Sequence, residues 1–161
     1  MNAELDAALV KDFPILYAQR FDDMRTTCMC WGFEFDDGWE KTIRELSEKL
    51  EFLNNEGFVR VEAVQAKEKF GTLRFYFSFI ELSAPIWQGI VEDLVDHAED
   101  RTGWTCERCG KFGKRRDDGW VITLCDSCHD ERETLRGTKA PDGEVAGTEE
   151  NEENPIGAEE L

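Results

Sequence analysis

Four cysteines near the end of the sequence have a spacing that suits metal binding. They form the pattern C-x2-C-x15-C-x2-C and are Cys106, Cys109, Cys125 and Cys128. Two thiolates three positions apart on a tight turn can both reach one zinc ion at about 2.3 Å, and two such pairs complete a tetrahedron. Four sulfur ligands leave no position for water, so the spacing predicts one Zn²⁺ with a structural role.

Two disulfides are the rival explanation for these cysteines. Disulfides require an oxidising compartment, whereas the N-terminal residues 1–6 are acidic and do not resemble a secretion signal. We therefore expect bound zinc and a cytoplasmic location. His129, next to Cys128, is an alternative ligand. Cys28 and Cys30 form a separate C-x-C pair, for which free thiols are the favoured interpretation over a metal or redox role.

The elements around the four cysteines predict a small lobe over residues 104–136. Residues 119–124 have the pattern of a strand that delivers the third cysteine, and residues 130–136 have the pattern of a helix. A cysteine knuckle, a hairpin and ligands at the start of a helix give a treble-clef-like order, with a zinc ribbon as the alternative. A lobe of roughly 35 residues needs such a staple, because it cannot build a self-sufficient core.

The preceding residues 1–103, here called the body, contain three predicted helices. The first, within residues 3–21, is either one helix broken near Pro14 or two short helices. The second begins where Asp37 and Glu40 have the spacing of a capping box, and it has an apolar stripe at helical spacing, formed by Trp39, Ile43, Leu46, Leu50 and Leu53. The third begins with Ser83 as its cap. Its expected buried face consists of Ile86, Ile90, Leu94 and His97.

Two segments of the body alternate apolar and polar residues with period two, which predicts strands. They are residues 59–64 and 73–79, and the short connection between them favours an antiparallel hairpin. Trp31, Phe33 and Phe35 lie in a connection before the second helix that is expected to pack against the body. The predicted fold class is α+β, with helices on one face of a small antiparallel sheet.

The sequence contains no complete signature of the enzyme classes considered below. His97-Ala98-Glu99 followed by Cys106 superficially resembles a zinc deaminase motif, but Thr105 stands where that motif has proline. A histidine-metal nuclease would need a histidine on the hairpin of the lobe, and residues 110–124 contain none. The chain also lacks a phosphate-binding loop, G-x-S-x-G and H-E-x-x-H. We therefore predict a non-enzymatic protein, with an unrecognised active site as the alternative.

The charge distribution limits the classes of partner that the chain is expected to bind. The chain of 161 residues carries a formal net charge of −17, which argues against a general nucleic-acid coat or a binder of anionic membranes. Residues 137–161 are rich in acidic side chains and poor in apolar ones, so we expect a disordered tail. A solubilising role is the simplest explanation of this tail, and docking to a basic partner is the alternative.

Two sets of side chains are candidate binding surfaces. A basic cluster in the lobe could contact phosphates beside the zinc site, although neutralising nearby acids is its alternative role. Its members are Lys111, Lys114, Arg115 and Arg116. Charged and aromatic residues also interleave along the hairpin of the body and could form a recognition surface for a partner. They are Lys67, Lys69, Arg74 and Tyr76.

Three segments together resemble a group of small uncharacterised proteins from phages, prophages and bacteria. The segments are G-F-E-F-D-D-G-W at residues 32–39, V-E-A-V-Q-A-K-E-K-F-G-T-L-R-F-Y at residues 61–76, and the cysteine module at residues 106–128. The resemblance implies a phage or mobile-element origin and carries no information about catalysis. The expected function is a zinc-stabilised adaptor that binds a protein in the host cytoplasm, as an inhibitor or regulator. The alternative is a nucleic-acid-binding module that uses the basic cluster.

Overall fold

A computed structural model of the chain describes residues 1–81 and 83–137, so all but the first residue of the predicted acidic tail lies outside the described residues. Three short 3₁₀ turns separate some of the helices and strands. The helices and strands are, in chain order, α1 (Ala3–Asp12), β1 (Phe33–Glu34), α2 (Glu40–Asn55), β2 (Val61–Lys69), β3 (Thr72–Phe79), α3 (Pro85–Thr102), β4 (Lys114–Arg116), β5 (Ile122–Leu124) and α4 (Asp126–Gly137).

The body contains a three-stranded sheet in the order β1-β2-β3. The predicted hairpin is confirmed, because β2 and β3 pair antiparallel. The sheet is mixed rather than purely antiparallel, since Phe33 of β1 pairs in parallel with Ala66 of β2. The α+β class is therefore confirmed, with one short parallel strand that the sequence pattern did not predict.

The β2–β3 hairpin closes with a turn of only two residues, Phe70 and Gly71. Both have positive φ, 55° and 82°. Positive φ at both positions is the feature of a type I′ turn, whose twist matches that of the flanking strands. The carboxylate of Glu68 supports the turn by accepting a hydrogen bond of 2.7 Å from the Gly71 N–H. β2 therefore runs to Lys69, beyond the predicted end of this strand at residue 64, and β3 begins at Thr72, one residue before its predicted start.

One hydrophobic cluster joins the helices of the body to the sheet. The predicted stripe of α2 is confirmed, with Trp39, Ile43 and Leu50 buried completely. They pack in one cluster with Leu73 and Phe75 of β3. Trp31, in contrast, is 59% exposed, so the expectation that it packs against the body is wrong.

The predicted buried face of α3 is wrong by about one residue. His97 is exposed, and Ile90 and Leu94 lie only at the border of the cluster. The smaller side chains of Val91, Val95 and Ala98 let α3 pack close to β3. The longer side chains of Ile90 and Leu94 lie at the edge of this contact. The residues that α3 buries are Val91, Val95, Ala98 and Thr102.

Neither predicted helix cap forms. The Asp37 carboxylate accepts hydrogen bonds from the backbone and side-chain nitrogens of Asn2, at 2.7 and 2.8 Å, instead of capping α2. Asn2 in turn caps α1 through its side-chain oxygen. Ala84, and not Ser83, is the residue that precedes α3. At Asp37 a contact with a distant segment therefore replaces the predicted cap. Among the described residues, no helix is long and apolar enough to span a membrane.

Candidate metal centre

The lobe brings all four predicted ligands together through three local structures. A turn carries Cys106 and Cys109, with the Gly110 N–H donating to the Cys106 carbonyl at 2.8 Å. Gly110 has a φ of 74°, a conformation that glycine adopts without steric cost. The short β4–β5 hairpin then leads into Cys125, and α4 places Cys128 in its first turn. The predicted order of knuckle, hairpin and helix is thus observed.

The sulfur positions fit a metal site and do not fit disulfides. The four Sγ atoms lie within 4.8 Å of one another, and all four cysteines are free. The Sγ atoms of Cys109 and Cys125 are 3.6 Å apart, far beyond the roughly 2.05 Å of a disulfide bond. Tetrahedral zinc with sulfur ligands at about 2.3 Å requires separations of roughly 3.8 Å. This donor set and spacing are consistent with zinc.

Without a cation, the four clustered thiols differ in how readily they ionise. Burial raises the pKa of the Cys106 and Cys128 thiols, while a hydrogen bond from the Ser127 hydroxyl lowers the pKa of Cys125 to about 6. Several thiolates in one small cluster repel each other unless a cation balances them. Zinc would supply that charge, and each thiolate would occupy one coordination position.

The other cysteines and the alternative histidine ligand lie outside this sulfur cluster. Cys28 is exposed, and the Cys30 thiol donates to the Thr27 carbonyl at 3.2 Å. The ring of His129 lies 3.6 Å from the Asp118 carboxylate. Asp118, His129 and Glu133 form a second group of metal-ligand atoms, but Arg136 is paired with Glu133 at 3.0 Å.

The lobe is joined to the body directly beneath the first cysteine pair. The Gly38 N–H donates to the Glu107 carbonyl at 2.7 Å, and the buried indole of Trp39 donates to the Thr105 carbonyl at 2.8 Å. A Cβ atom at Gly38 would collide with the carbonyl oxygens of Cys106 and Glu107. The sequence motif Gly38-Trp39 therefore has a structural role that we did not predict, because it seats the lobe.

Substitution of Gly38 by alanine is expected to destabilise the protein by about 1–3 kcal/mol, because the added methyl group must displace backbone of the lobe. Gly89→Ala is the matched control. Nothing lies within 4 Å of a Cβ at Gly89 in α3, so this change should stabilise by about 0.5–1 kcal/mol. Urea unfolding of the zinc-loaded variants measures both values. Equal effects of the two substitutions would contradict the close contact at Gly38.

A second contact links the lobe to the tip of the β2–β3 hairpin. The Thr123 hydroxyl donates to the Gly71 carbonyl at 2.6 Å, and Thr123 is almost fully buried. The Trp120 indole donates to the Glu68 carboxylate at 3.2 Å. Folding of the lobe therefore positions the hairpin tip as well as the cysteines.

The predicted recognition residues of the body share the solvent face of the hairpin. Cross-strand pairing places Lys67 opposite Arg74, and Lys69 lies two residues along the same face. The Lys67 ammonium lies 5.5 Å from the centre of the Tyr76 ring. Arg74 reaches the Glu99 carboxylate of α3 at 3.3 Å. This surface, formed by Lys67, Lys69, Arg74 and Tyr76, is called the hairpin face below.

An aromatic cleft adjoins the hairpin face, and sequence reasoning did not identify it. It has a volume of about 480 Å³ and lies between Phe70 at the hairpin tip and Trp120 of the lobe. These two side chains are 62% and 69% exposed. Lys67 and Lys69 also line the cleft. The cleft depends on contact between segments about 50 residues apart, which no local sequence signal encodes.

The predicted basic cluster is largely paired with carboxylates. Lys114 and Arg116 both contact Asp126, at 3.0 and 2.6 Å, and together they lower the pKa of that carboxyl to about 2. Arg115 contacts Asp117 at 2.7 Å. Lys111 is exposed in the connection that precedes β4. For Lys114, Arg115 and Arg116, the arrangement corresponds to the neutralising role that was the alternative for this cluster.

Comparison with known proteins found no matching family model, no similar curated protein and no similar solved structure. Four clustered thiols that fit a structural zinc site are the clearest chemical feature of the described residues.

Proposed function

We propose that this protein is a zinc-stabilised, non-enzymatic adaptor that binds a protein partner through the hairpin face and the aromatic cleft. The main observation that supports this function is that Phe70 and Trp120 are both largely exposed and both line a cleft that Lys67 and Lys69 also line. Exposed aromatic side chains grouped in a concave surface are typical of protein interfaces. The four-cysteine cluster supports this function by holding Trp120 and the hairpin tip in place.

The chemistry of the cleft defines the partner segment that it would accept. Apolar ring surfaces suit an aromatic or aliphatic side chain, and Lys67 and Lys69 at the border suit a neighbouring carboxylate. The Glu68 carboxylate is occupied by the Gly71 N–H and the Trp120 indole. The proposed ligand is therefore an apolar side chain that is followed or preceded by an acidic residue.

We favour a protein over nucleic acid as the partner. Phosphate binding requires basic side chains that are free to contact the backbone of the nucleic acid. Lys114, Arg115 and Arg116 are instead paired with carboxylates. Neutralising these three residues should consequently leave partner binding unchanged, whereas a nucleic-acid partner would be lost.

A site-specific crosslinking experiment tests this function. A photoreactive phenylalanine at position 70 should crosslink a protein from a bacterial host lysate, and nuclease treatment should leave the yield unchanged. Lys67→Glu with Lys69→Glu should lower the yield about tenfold, because both charges border the cleft. The control is Lys11→Glu with Lys49→Glu, an equal change of charge at exposed positions of α1 and α2.

Each outcome of the crosslinking experiment decides between the candidate functions. Equal loss in both double variants would show that the net charge and not the cleft governs binding. Loss of the product on nuclease treatment would favour the nucleic-acid-binding module. The choice of host lysate follows from the resemblance to phage and prophage proteins, which also underlies the proposed cytoplasmic location. The treble-clef relationship of the lobe is likewise part of this proposal.

A further inference from the structure

The outer edge of β3 is protected along only half of its length. In the first half, the outward N–H of Leu73 donates to the Thr102 hydroxyl and that of Phe75 donates to the Glu99 carboxylate, both at 2.8 Å. Side chains of α3 thus occupy the groups that a further strand would pair with. Such protection is how proteins keep strand edges from pairing with other chains.

The second half of this edge has no such protection. The N–H of Ala63 in β2 points away from β3, toward the Leu16 carbonyl at 2.8 Å, so the pair of Ala63 and Phe77 is not hydrogen-bonded. The backbone groups of Phe77, and of Phe79 two residues later, therefore point away from β2. Within residues 1–81 and 83–137, neither N–H has an acceptor. We call residues 77–79 the open edge.

An acidic stripe of α3 lies beside the open edge. The two capping bonds show that β3 and α3 run in opposite directions, because Leu73 meets Thr102 whereas Phe75 meets Glu99. The open edge therefore continues toward the N-terminal half of the helix. Asp96 and Glu92 precede Glu99 by about one and two helical turns on the same side of α3. Both are exposed.

We propose that the open edge binds an extended basic segment of a partner protein by β-strand addition. The backbone of that segment would pair with Phe77 and Phe79, and its lysine or arginine side chains would lie against Glu92 and Asp96. Main-chain hydrogen bonds supply affinity in this mode, and alternate side chains supply specificity. This surface is separate from the aromatic cleft, so the inference does not depend on the proposed function.

Charge decides between a basic segment and a second copy of this chain. Pairing of two open edges would bring two acidic stripes together, and each chain carries a net charge of −17. Like charges at that proximity oppose association. A basic segment gains from the same charges, which also accelerate its encounter with the protein.

Peptide titration of the zinc-loaded full chain tests this proposal. The probe is an octapeptide of alternating lysine and valine, and the control peptides carry methyl groups on every second backbone nitrogen, in either register. Methylation keeps the charge and removes the backbone donors. We expect the probe to bind and to slow amide hydrogen exchange at Phe77 and Phe79. Only alternate N–H groups of an added strand face β3, so the control peptide with methyl groups on those nitrogens should bind about tenfold more weakly or not at all, whereas the other control should bind like the probe.

Protein variants test the two contributions separately. Glu92→Gln with Asp96→Asn should weaken probe binding about tenfold. Glu48→Gln with Asp93→Asn removes the same charge elsewhere on α2 and α3 and should have little effect. Phe77→Pro removes the outward N–H, whereas Phe77→Ala keeps it, so only the proline variant should lose binding. Equal binding of the two methylated peptides, equal loss in both charge variants, or no binding of the probe would each overturn the proposal.

Discussion

Replacement of Cys125 by serine is expected to abolish zinc binding and to unfold the lobe of residues 104–136. The buried core of the lobe consists of Leu124 and three of the cysteines themselves, with Ile122 packed beside them. So small a core cannot hold the segment folded, whereas structural zinc contributes about 10–16 kcal/mol at neutral pH. The metal content of the purified variant and the amide hydrogen exchange of β4, β5 and α4 measure the two effects.

The control for this experiment is already present in the sequence. Cys28→Ser with Cys30→Ser removes two thiols that lie outside the cluster and should leave one zinc per chain. Cys109, the exposed member of the cluster, should behave like Cys125 when it is replaced. A Cys125→Ser protein that keeps its zinc and its protected amides would contradict the four-cysteine centre.

Truncation of Trp39 to alanine is expected to cost about 3–5 kcal/mol, the largest effect of any substitution outside the metal centre. The indole is completely buried, packs 5.5 Å from the Phe35 ring and donates to the Thr105 carbonyl of the lobe. Its removal leaves both a cavity in the body and an unpaired carbonyl under the first cysteine pair. Urea unfolding of the zinc-loaded protein measures the loss.

Trp31 provides the comparison, because it is the tryptophan nearest in the sequence and is largely exposed. Trp31→Ala should change stability by less than about 0.5 kcal/mol. The Trp39 variant should also release zinc to a chelator faster than the wild-type protein, since Trp39 seats the lobe on the body. Similar stabilities of the two alanine variants would contradict the role assigned to Trp39.

The features that sequence predicted correctly are those encoded within one segment. The spacing of the four cysteines predicted their convergence because each pair sits on its own turn. The apolar stripe from Ile43 to Leu53 predicted α2, and the alternation around Leu73 and Phe75 predicted a hairpin. In each case one local pattern determines both the element and the side that it buries.

The features that sequence did not predict depend on contacts between distant segments. The Asp37 carboxylate binds Asn2, 35 residues away, so the local signal of a capping box failed. On α3 the larger residues Ile90 and Leu94 suggested the wrong face, because the sheet accepts the smaller Val91 and Val95 at close range. The seat of the lobe at Gly38 and the open edge of β3 also require the tertiary structure. Both features depend on how distant segments of the chain pack together, which no local sequence pattern indicates.

The metal centre, the hairpin tip and the body form one connected arrangement. Gly38 and Trp39 hold the first cysteine pair, while Thr123, two residues before Cys125, holds Gly71 of the hairpin. Under the proposed function, zinc should influence the binding of the proposed partner without touching it. Removal of zinc by a chelator should disorder Trp120, so that the cleft loses the side formed by the lobe. The pairing of β2 with β3 should persist.

X-ray absorption at the zinc edge of the zinc-loaded, full-length protein tests the central claim most directly. The four-cysteine centre predicts four sulfur ligands at about 2.3 Å and no imidazole scattering. A nitrogen ligand in place of one sulfur would assign a coordinating role to His129 and contradict the all-cysteine shell. Absence of tightly bound zinc would remove the element that is proposed to hold the lobe, the hairpin tip and the aromatic cleft together.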